Sequence, residues 1–342
     1  MIEIKEKANL LNEEVDALVN TVNCVGIMGK GIALQFKQAY PENFKAYKKA
    51  CDDNEVKIGK MFITENSQFF QPRFIINFPT KIHWKEKSKL EYIEKGLDDL
   101  IQQIKRLGIK SIAIPPLGCG NGGLNWEDVK ELIFRKMDVL KNVKTVVFAP
   151  SGAPAAREMK IGTKKPNMTP GRAALIGLLK NYKEVGYEIT MLEVQKLMYF
   201  LQVAGEPLRL NFIKHHYGPY ANEINHVLQK IEGHFIKGYG DRTREIQITV
   251  LPDGINEAED FLANHEETRN RFKRVLALIH GFETPYGLEL LSTVHWTVSN
   301  EKITEFDEII KSIQDWNSRK EKLFDPDHVR IAKERLDAEH FL

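Results

Sequence analysis

The stretch that decides the fold is Val15-Asp16-Ala17-Leu18-Val19-Asn20-Thr21-Val22-Asn23, which continues as Cys24-Val25-Gly26-Ile27-Met28-Gly29-Lys30-Gly31-Ile32-Ala33. Its first part is short, apolar and rich in β-branched residues, which is typical of a strand buried on both faces. Its second part is rich in glycine and leads into a predicted helix. Three further runs have the same strand character: FIINFP (74–79), SIAIPP (111–116) and TVVFAP (145–150).

Two amphipathic stretches lie between these strands. In residues 88–108 the apolar positions recur at three- and four-residue spacing, and Gly108 is placed to end a helix. In residues 125–142 a second helix is predicted, with Glu127 and Asp128 in its first turn, where the helix dipole favours acidic side chains. The alternation of strand and helix predicts an α/β sheet with helices on both faces.

The alternation stops after Pro150, and the sequence divides there. We predict an α/β domain over residues 1–152, a linker over 153–168 and a mainly helical domain over 169–342. In the last of these, three predicted helices precede a predicted hairpin at residues 234–254. That order is the outline of a winged helix, so the helical domain is expected to be winged-helix-like.

The composition excludes several classes of protein. The 342 residues are 42% apolar and 28% charged, and no apolar run is long enough to cross a bilayer. The N-terminal MIEIKEKANL is predicted to form a first strand rather than a signal peptide, so we expect a cytoplasmic protein without a membrane partner. Cys24, Cys51 and Cys119 are scattered and predict neither a disulfide framework nor a metal site. Cys119 is expected to be a small filler beside a ligand rather than a nucleophile.

The net charge of +2 conceals an asymmetry between the two halves. Residues 1–168 carry 27 Lys and Arg against 20 Asp and Glu, a net charge of +7. Residues 169–342 carry 22 basic and 27 acidic residues, a net charge of −5. The first half therefore suits a polyanionic ligand, and the second half is poorly suited to holding DNA through its phosphates.

Two glycine-rich loops follow predicted strands. The first glycine loop runs from Asn23 to Ala33, and the second glycine loop is Pro115-Pro116-Leu117-Gly118-Cys119-Gly120-Asn121-Gly122-Gly123. Glycine lets backbone N–H groups approach a phosphate closely, and a helix N-terminus adds a favourable dipole. Two such loops at strand ends predict a diphosphate gripped from both sides. Neither loop matches the P-loop or the dinucleotide-binding pattern.

These residues carry a resemblance to the macrodomain family. The turn Ala8-Asn9-Leu10-Leu11, the strand and first glycine loop, the second glycine loop and the closing strand Val146-Val147-Phe148-Ala149-Pro150 follow the family's order over roughly residues 1–152. The resemblance implies a mixed sheet sandwiched by helices, with one ADP-ribose site at its carboxyl edge and no cofactor. It assigns ADP-ribose binding to Asn9, Leu10, Thr21, Val22, Gly29, Gly31, Ile32, Ala33, Leu34, Thr80, Leu117, Gly118, Cys119, Gly120, Asn121, Gly122 and Phe148.

Two of these assignments leave alternatives open at the adenine end. The family usually has an aspartate where Asn9 stands, and asparagine keeps an acceptor for the adenine amino group but lacks the charge. Phe148 either faces the adenine or packs into the core.

Within the macrodomains, Asn77-Phe78-Pro79-Thr80-Lys81-Ile82-His83-Trp84 resembles the branch of the DarG-type antitoxins, in which a lysine follows the NFPT strand end. The resemblance implies removal of ADP-ribose from thymine bases in single-stranded DNA, with Lys81 as a catalytic residue. Related enzymes that act on ADP-ribosylated glutamate also use a lysine, assisted by an aspartate in the second loop. Asn121 stands there in this chain, and an amide cannot transfer a proton as a carboxyl group does.

The chemistry of such a cleavage agrees with these residue types. Breaking the bond at the anomeric carbon of ribose builds positive charge there. A neutral Lys81 could attack that carbon, and a charged Lys81 could protonate the leaving group; without the resemblance it is one surface lysine in a basic stretch. Asn23 is the second catalytic candidate, orienting the distal ribose or a water, or else capping the loop. Trp84 is expected to lie against a base of the DNA substrate.

The second half carries a shorter resemblance. Leu197-Met198-Tyr199-Phe200, followed by Tyr217-Gly218-Pro219, resembles the Panacea domain, a module associated with antitoxins. It implies that residues 169–342 bind a cognate DarT-type ADP-ribosyltransferase toxin. The pair His215-His216 does not predict a metal site, because adjacent side chains in an extended segment point opposite ways.

Three functions therefore compete. The first is an antitoxin that hydrolyses ADP-ribose from ADP-ribosylated single-stranded DNA and also binds its toxin. The second is a reader that binds ADP-ribose without cleaving it, which needs no lysine at the anomeric carbon. The third is a transcription regulator that uses the winged helix on DNA, which the net charge of −5 opposes.

Overall fold

The chain forms two compact units in the computed structural model, which describes residues 2–6, 8–66, 71–150, 152, 154–184, 186–243 and 245–342. The first unit comprises Met1–Lys164 and a separate segment, Gly240–Arg244. The second unit comprises Lys165–Tyr239 and Glu245–Leu342. The segments predicted as N-terminal strand, linker, helix and hairpin contain residues 1, 7, 151, 153, 185 and 244. These six residues lie outside the described residues.

The first unit is built on a six-stranded mixed sheet with the order β1-β6-β5-β2-β4-β3. Its strands are β1 (Ile2–Lys5), β2 (Ala17–Val22), β3 (Phe62–Glu65), β4 (Phe74–Pro79), β5 (Ser111–Ile114) and β6 (Lys144–Phe148). All neighbouring pairs are parallel except β3 and β4, which are antiparallel. Five strands therefore end at one edge of the sheet, which is where ligands bind in open parallel sheets.

Helices cover both faces of this sheet, as the strand–helix alternation predicts. They are α1 (Gly31–Ala39), α2 (Pro41–Asp52), α3 (Leu90–Leu107) and α4 (Trp126–Met137). Along β2, Leu18 joins a core cluster with Phe36 of α1, and Val19 joins one with Leu97 of α3. Successive residues of a strand point to opposite faces, so the continuous apolar run of β2 needs a core on each side. The predicted α/β class is confirmed.

Local sequence explains where α3 and α4 lie. Gly108 caps α3 with a φ of +65°, a left-handed conformation in which glycine avoids the steric cost of a side chain. Asn125 caps α4, its side chain accepting from the N–H groups of Glu127 and Asp128. In the middle of α3, a Cβ on Gly96 would come within 2.2 Å of the Phe78 ring. The helix thus packs tightly on the strand that leads to Lys81.

The second unit is mainly helical, and this predicted class is also confirmed. Its helices are α5 (Pro170–Glu184), α6 (Met191–Val203), α7 (Ile224–Ile231), α8 (Pro252–Ala263), α9 (Glu266–Ile279), α10 (Pro285–Ser299), α11 (Phe306–Trp316), α12 (Ser318–Leu323) and α13 (Pro326–Ala338). Two antiparallel hairpins accompany them, formed by β7 (Ile213–His215) with β8 (Gly218–Tyr220) and by β9 (Ile236–Lys237) with β10 (Thr249–Val250). Each strand of the predicted wing is only two residues long. Among the described helices, none is long and apolar enough to cross a membrane.

The two halves of the Panacea-like motif meet inside this unit. Lys196, which precedes the LMYF run on α6, donates to the Pro219 carbonyl at 2.8 Å. Gln195 bonds both the N–H and the carbonyl of Ala221. Burial lowers the pKa of Lys196 to about 7. These bonds tie α6 to β8 and explain why the helix motif and the Tyr-Gly-Pro turn occur together.

Candidate active site

The predicted ligand-binding residues gather at the carboxyl edge of the sheet. Asn9 and Leu10 follow β1, the first glycine loop follows β2, and Thr80 and Lys81 follow β4. The second glycine loop follows β5, and Phe148 is the last residue of β6. Five segments far apart in sequence therefore meet at one edge because their strands are parallel neighbours.

Asn23 holds the first glycine loop in shape. Its side-chain oxygen accepts from the Val25 and Ile27 N–H groups, at 3.0 and 3.3 Å, and its amide donates to the Ile27 carbonyl. The Tyr47 hydroxyl donates to the Asn23 carbonyl at 2.7 Å. These contacts match the loop-capping alternative of the sequence analysis. The catalytic role assigned to Asn23 stays a prediction.

The first glycine loop delivers the N-terminus of α1 to this edge. Lys30 is the N-cap and makes no side-chain capping bond. The N–H groups of the first turn, which include those of Ile32 and Ala33, have no acceptor within the helix. They also stand at the positive end of the helix dipole. This helix end can accept an anionic group from a ligand.

The second glycine loop depends on glycine for its close packing. A Cβ on Gly122 would lie 2.3 Å from both the Gly118 carbonyl oxygen and the Ser88 hydroxyl. The Ser88 N–H donates to the Gly122 carbonyl at 3.0 Å, and this hydrogen bond ties the loop to the segment before α3. Gly120 differs, because a Cβ there would meet no described atom within 4 Å. Its Cα therefore faces open space.

The two glycine loops face each other. A Cβ on Gly31, where φ is +63°, would come within 3.3 Å of the Asn121 side-chain nitrogen. The ends of β2 and β4 are also tied together, since the Thr80 N–H donates to the Val22 carbonyl and the Cys24 N–H to the Ile82 carbonyl, each at 2.9 Å. The arrangement agrees with the predicted grip on a diphosphate from two sides.

Lys81 is fixed against the second glycine loop. Its Nζ donates to the Asn121 carbonyl at 2.9 Å and to the Glu86 carbonyl at 3.1 Å, and the residue is only 9% exposed. Burial and then the Lys87 charge lower the pKa of Lys81 below its usual 10.5, and Glu86 opposes them. The surface-lysine alternative is wrong, because a solvated lysine would be exposed. The two carbonyls instead hold the ammonium in one place, and its third N–H makes neither of these bonds.

The adenine end contains Asn9, Leu10 and Phe148. The Asn9 side chain accepts from the Leu11 N–H and caps a short 3₁₀ helix over Leu10–Asn12. Leu10 and Phe148 are both buried in one core cluster, against which Ile32 packs. The Phe148 ring therefore has the core-packing role, and its contact with adenine stays a prediction.

The other predicted residues differ in what they can offer a ligand. The side chains of Leu34 and Leu117 are fully buried, so these residues can present only backbone groups. Burial raises the pKa of the Cys119 thiol to about 11, which agrees with the expected filler and leaves little thiolate for nucleophilic attack. Thr21 and Val22 lie at the end of β2, where Val22 is buried.

A buried amide network, which was not predicted from the sequence, lies beneath the site. Asn20 of β2 donates to the side-chain oxygen of Asn77 on β4 at 3.0 Å, and these two residues are register partners. Asn77 and Asn43 of α2 exchange hydrogen bonds at 2.7 and 3.3 Å, and Thr64 of β3 donates to Asn43. The sequence signal that could have indicated this network is the presence of polar residues inside otherwise apolar strands.

An exposed apolar surface borders Lys81. Trp84 is 50% exposed, and Ile82, Val25 and Ile27 are exposed as well. The Lys85 ammonium lies 5.1 Å from the centre of the Trp84 ring, within the range of a cation–π contact. Among the described residues, no group of three or more His, Cys, Asp or Glu could hold a metal ion.

The sheet and its two facing loops define a class of protein. A family model described as Macro domain matches residues 19–133, within the first unit. The first unit is a macrodomain, and the prediction made from the DALVN strand and the glycine loops is confirmed.

Relatives that match almost the whole chain define the family. A Thermus aquaticus protein named DNA ADP-ribosyl glycohydrolase is 47% identical over 330 residues, which cover 96% of this chain and 91% of the relative. A Mycobacterium tuberculosis protein of the same name is 43% identical over 344 residues, covering 96% and 97%. The chain therefore belongs to the DNA ADP-ribosyl glycohydrolase family.

A third relative matches only in part. A Thermosipho africanus protein is named DNA ADP-ribosyl transferase-DNA ADP-ribosyl glycohydrolase fusion protein. It is 36% identical over 150 residues, covering 40% of this chain and 39% of the relative.

Gly120→Val tests whether the second glycine loop approaches a ligand. No described atom lies near the added side chain, so the melting temperature should change by no more than about 2 °C. Binding of ADP-ribose should weaken at least about tenfold, because the side chain occupies the space reserved for the diphosphate. Calorimetry and thermal melting measure both quantities. Unchanged affinity in the folded variant would contradict the diphosphate grip.

Proposed function

We propose that this chain hydrolyses the bond between ADP-ribose and a thymine base of single-stranded DNA, and so acts as an antitoxin. The observation that supports it best is the place of Lys81, held by the second glycine loop at the strand end. A protein that only read ADP-ribose would need no buried lysine there. The names of the two near-full-length relatives support the activity and the DNA substrate.

In the proposed mechanism the glycine loops fix the diphosphate and Lys81 meets the distal ribose. As the bond between the anomeric carbon and the base nitrogen lengthens, positive charge grows on the sugar and negative charge on the base. A charged Lys81 donates a proton to the leaving base nitrogen, water adds hydroxide to the anomeric carbon, and the proton that water loses returns to Lys81. A neutral Lys81 instead attacks the anomeric carbon as the bond to the base breaks, and the amine passes a proton to the base. Water then replaces the amine on the sugar and restores neutral Lys81.

Two opposing effects set the protonation of Lys81. Burial lowers its pKa, and the two carbonyl acceptors on Nζ leave a third proton free when the amine is charged. A bound diphosphate adds negative charge nearby and raises the pKa again. Substrate binding thus favours the ammonium, which supports the proton-donor alternative over nucleophilic attack.

Lys81→Ala should abolish release of ADP-ribose from a modified oligonucleotide while its affinity for free ADP-ribose stays within a few-fold. Loss of proton transfer alone lowers the rate by about 10²–10⁴. Lys89→Ala is the matched control, because the Lys89 side chain is exposed and contacts only the Tyr92 ring among the side-chain contacts described. Turnover by Lys81→Ala at near the wild-type rate would rule out the assignment.

The pH profile of the wild-type enzyme, measured in the same assay, separates the two roles of Lys81. In kcat/KM, which reports groups of the free enzyme, a proton donor loses activity as pH rises through its pKa, and a nucleophile gains activity there. Burial lowers the pKa of Lys81 in the free enzyme, so the change lies below 10.5. We expect kcat/KM to fall.

The surface beside Lys81 suits a nucleobase. The exposed Trp84 ring offers a stacking face, and Lys85 places a cation over it, near where the DNA backbone would pass. Stacking of a base on an aromatic ring contributes about 1–3 kcal/mol. The net charge of +7 in residues 1–168 adds attraction for the phosphates.

Trp84→Ala should raise KM for the modified oligonucleotide by roughly tenfold, since a stacking contact is lost. The Kd for free ADP-ribose should not change, because ADP-ribose has no base at that end. Steady-state kinetics and calorimetry supply the two values. If both constants change equally, Trp84 supports the ADP-ribose pocket instead of contacting DNA.

The second unit is proposed to bind and block a cognate DarT-type toxin. The Thermosipho africanus fusion protein, whose name joins a transferase with a glycohydrolase, supports a functional link between the two activities. A transferase that modifies single-stranded DNA needs a basic groove for the backbone. Residues 169–342, with a net charge of −5, are suited to occupy such a groove. With DNA and its toxin as partners, the protein is proposed to act in the cytoplasm.

Full-length Lys81→Ala should still bind the toxin and protect cells in part, because the proposed toxin contact does not use the macrodomain site. The Kd for the toxin should increase as salt rises, since exposed opposite charges attract less when screened. Size exclusion of the purified variant with toxin, and separately with labelled duplex DNA, measures both partners. Co-elution with duplex but not with toxin would favour the transcription-regulator alternative.

A further inference from the structure

We propose that Gly240–Thr243 forms a plug in the diphosphate end of the macrodomain site, which must withdraw before ADP-ribose binds. The inference rests on the proposed ADP-ribose site. These four residues belong to the first unit although the residues on either side of Gly240–Arg244 belong to the second.

The plug occupies a hydrogen-bond donor of the anion-binding helix end. The Asp241 carbonyl accepts from the Gly31 N–H, the first of α1, at 2.9 Å. The point where a Gly31 Cβ would lie is 3.3 Å from the Asn121 side chain and 3.7 Å from the Thr243 methyl group. Thr243 therefore stands where the two glycine loops face each other. A diphosphate held between those loops would compete with it for space.

Charge opposes simultaneous occupancy as well. Asp241 is only 2% exposed, and its carboxylate accepts from the Gln35 amide at 2.7 Å and from the N–H and hydroxyl of Thr243 at 3.1 and 2.7 Å. These described partners are uncharged groups. A diphosphate at the end of α1 would face this buried anion, and like charges at short distance repel each other strongly when water is excluded.

The backbone of the plug is suited to withdrawal. Arg242 has a φ of +64°, a left-handed conformation that a residue with a side chain rarely adopts. Gly240, at +59°, adopts its conformation without a side-chain cost, and a Cβ there would lie 3.0 Å from the Ala156 Cβ. Among the plug's residues the backbone strain thus lies at Arg242, and withdrawal would relieve it.

Two variants of the full-length protein test the plug. Asp241→Asn removes its negative charge, and Thr243→Gly removes its side chain while keeping Asp241. If the plug occupies the site in most molecules, the apparent Kd exceeds the intrinsic one by the inverse of the open fraction. Each variant should therefore bind ADP-ribose at least about threefold more tightly in calorimetry. Asp253→Asn, an exposed aspartate in α8, is the control and should not differ from wild type.

Salt should change neither gain much, because Asp241 is only 2% exposed and a buried charge is screened little. If both variants keep their melting temperatures and bind no more tightly than wild type, the plug is wrong and the proposed function stands. If neither wild type nor variants bind ADP-ribose, the proposed function fails as well. If Asp241→Asn does not fold, Thr243→Gly alone decides.

Discussion

The side-chain hydrogen bond between Asn20 and Asn77 fixes the register on which the site depends. It joins the two parallel strands whose ends carry the first glycine loop and Lys81. A slip of one residue would move Lys81 by about 3.3 Å and exchange the two buried faces of a strand, so that each would meet the wrong core. It would also leave amide groups unpaired in the core, at a cost of about 1–3 kcal/mol each. Asn43 extends the network to α2 and so holds the layer above the same strands.

The site is assembled largely from backbone groups. The first turn of α1 supplies N–H donors, and the carbonyls of Glu86 and Asn121 orient the Lys81 ammonium. Two side chains at the predicted site serve structural purposes: Asn23 shapes a loop and Phe148 fills the core. The proposed recognition by backbone groups would explain why glycine recurs in both loops. The side chains proposed to act on the substrate are Lys81 and the exposed residues next to it.

The sequence predicted β1, β2, β4, β5 and β6, the helices α1, α3 and α4, and the strand ends that meet, because apolar periodicity and glycine spacing are local properties. It did not predict β3 or α2. The resemblance placed Lys81 in the site, but its contact with Asn121 depends on a chain separation of 40 residues that no local pattern reveals. Asp241 escaped prediction for the same reason, since Gln35 lies 206 residues away. The predicted wing illustrates the limit: its strands are present, but each has only two residues.

Because the first unit consists of two separate segments, the ribosome completes one segment well before the other. Met1–Lys164 leave the ribosome before Gly240–Arg244 have been translated, about eighty residues later. At elongation rates of roughly 5–20 residues per second, that interval is on the order of 4–16 s. During it, the nascent macrodomain has its sheet and both glycine loops but lacks the segment that meets the end of α1. If Gly240–Thr243 acts as the proposed plug, the growing polypeptide passes through a stage whose site is open to a ligand.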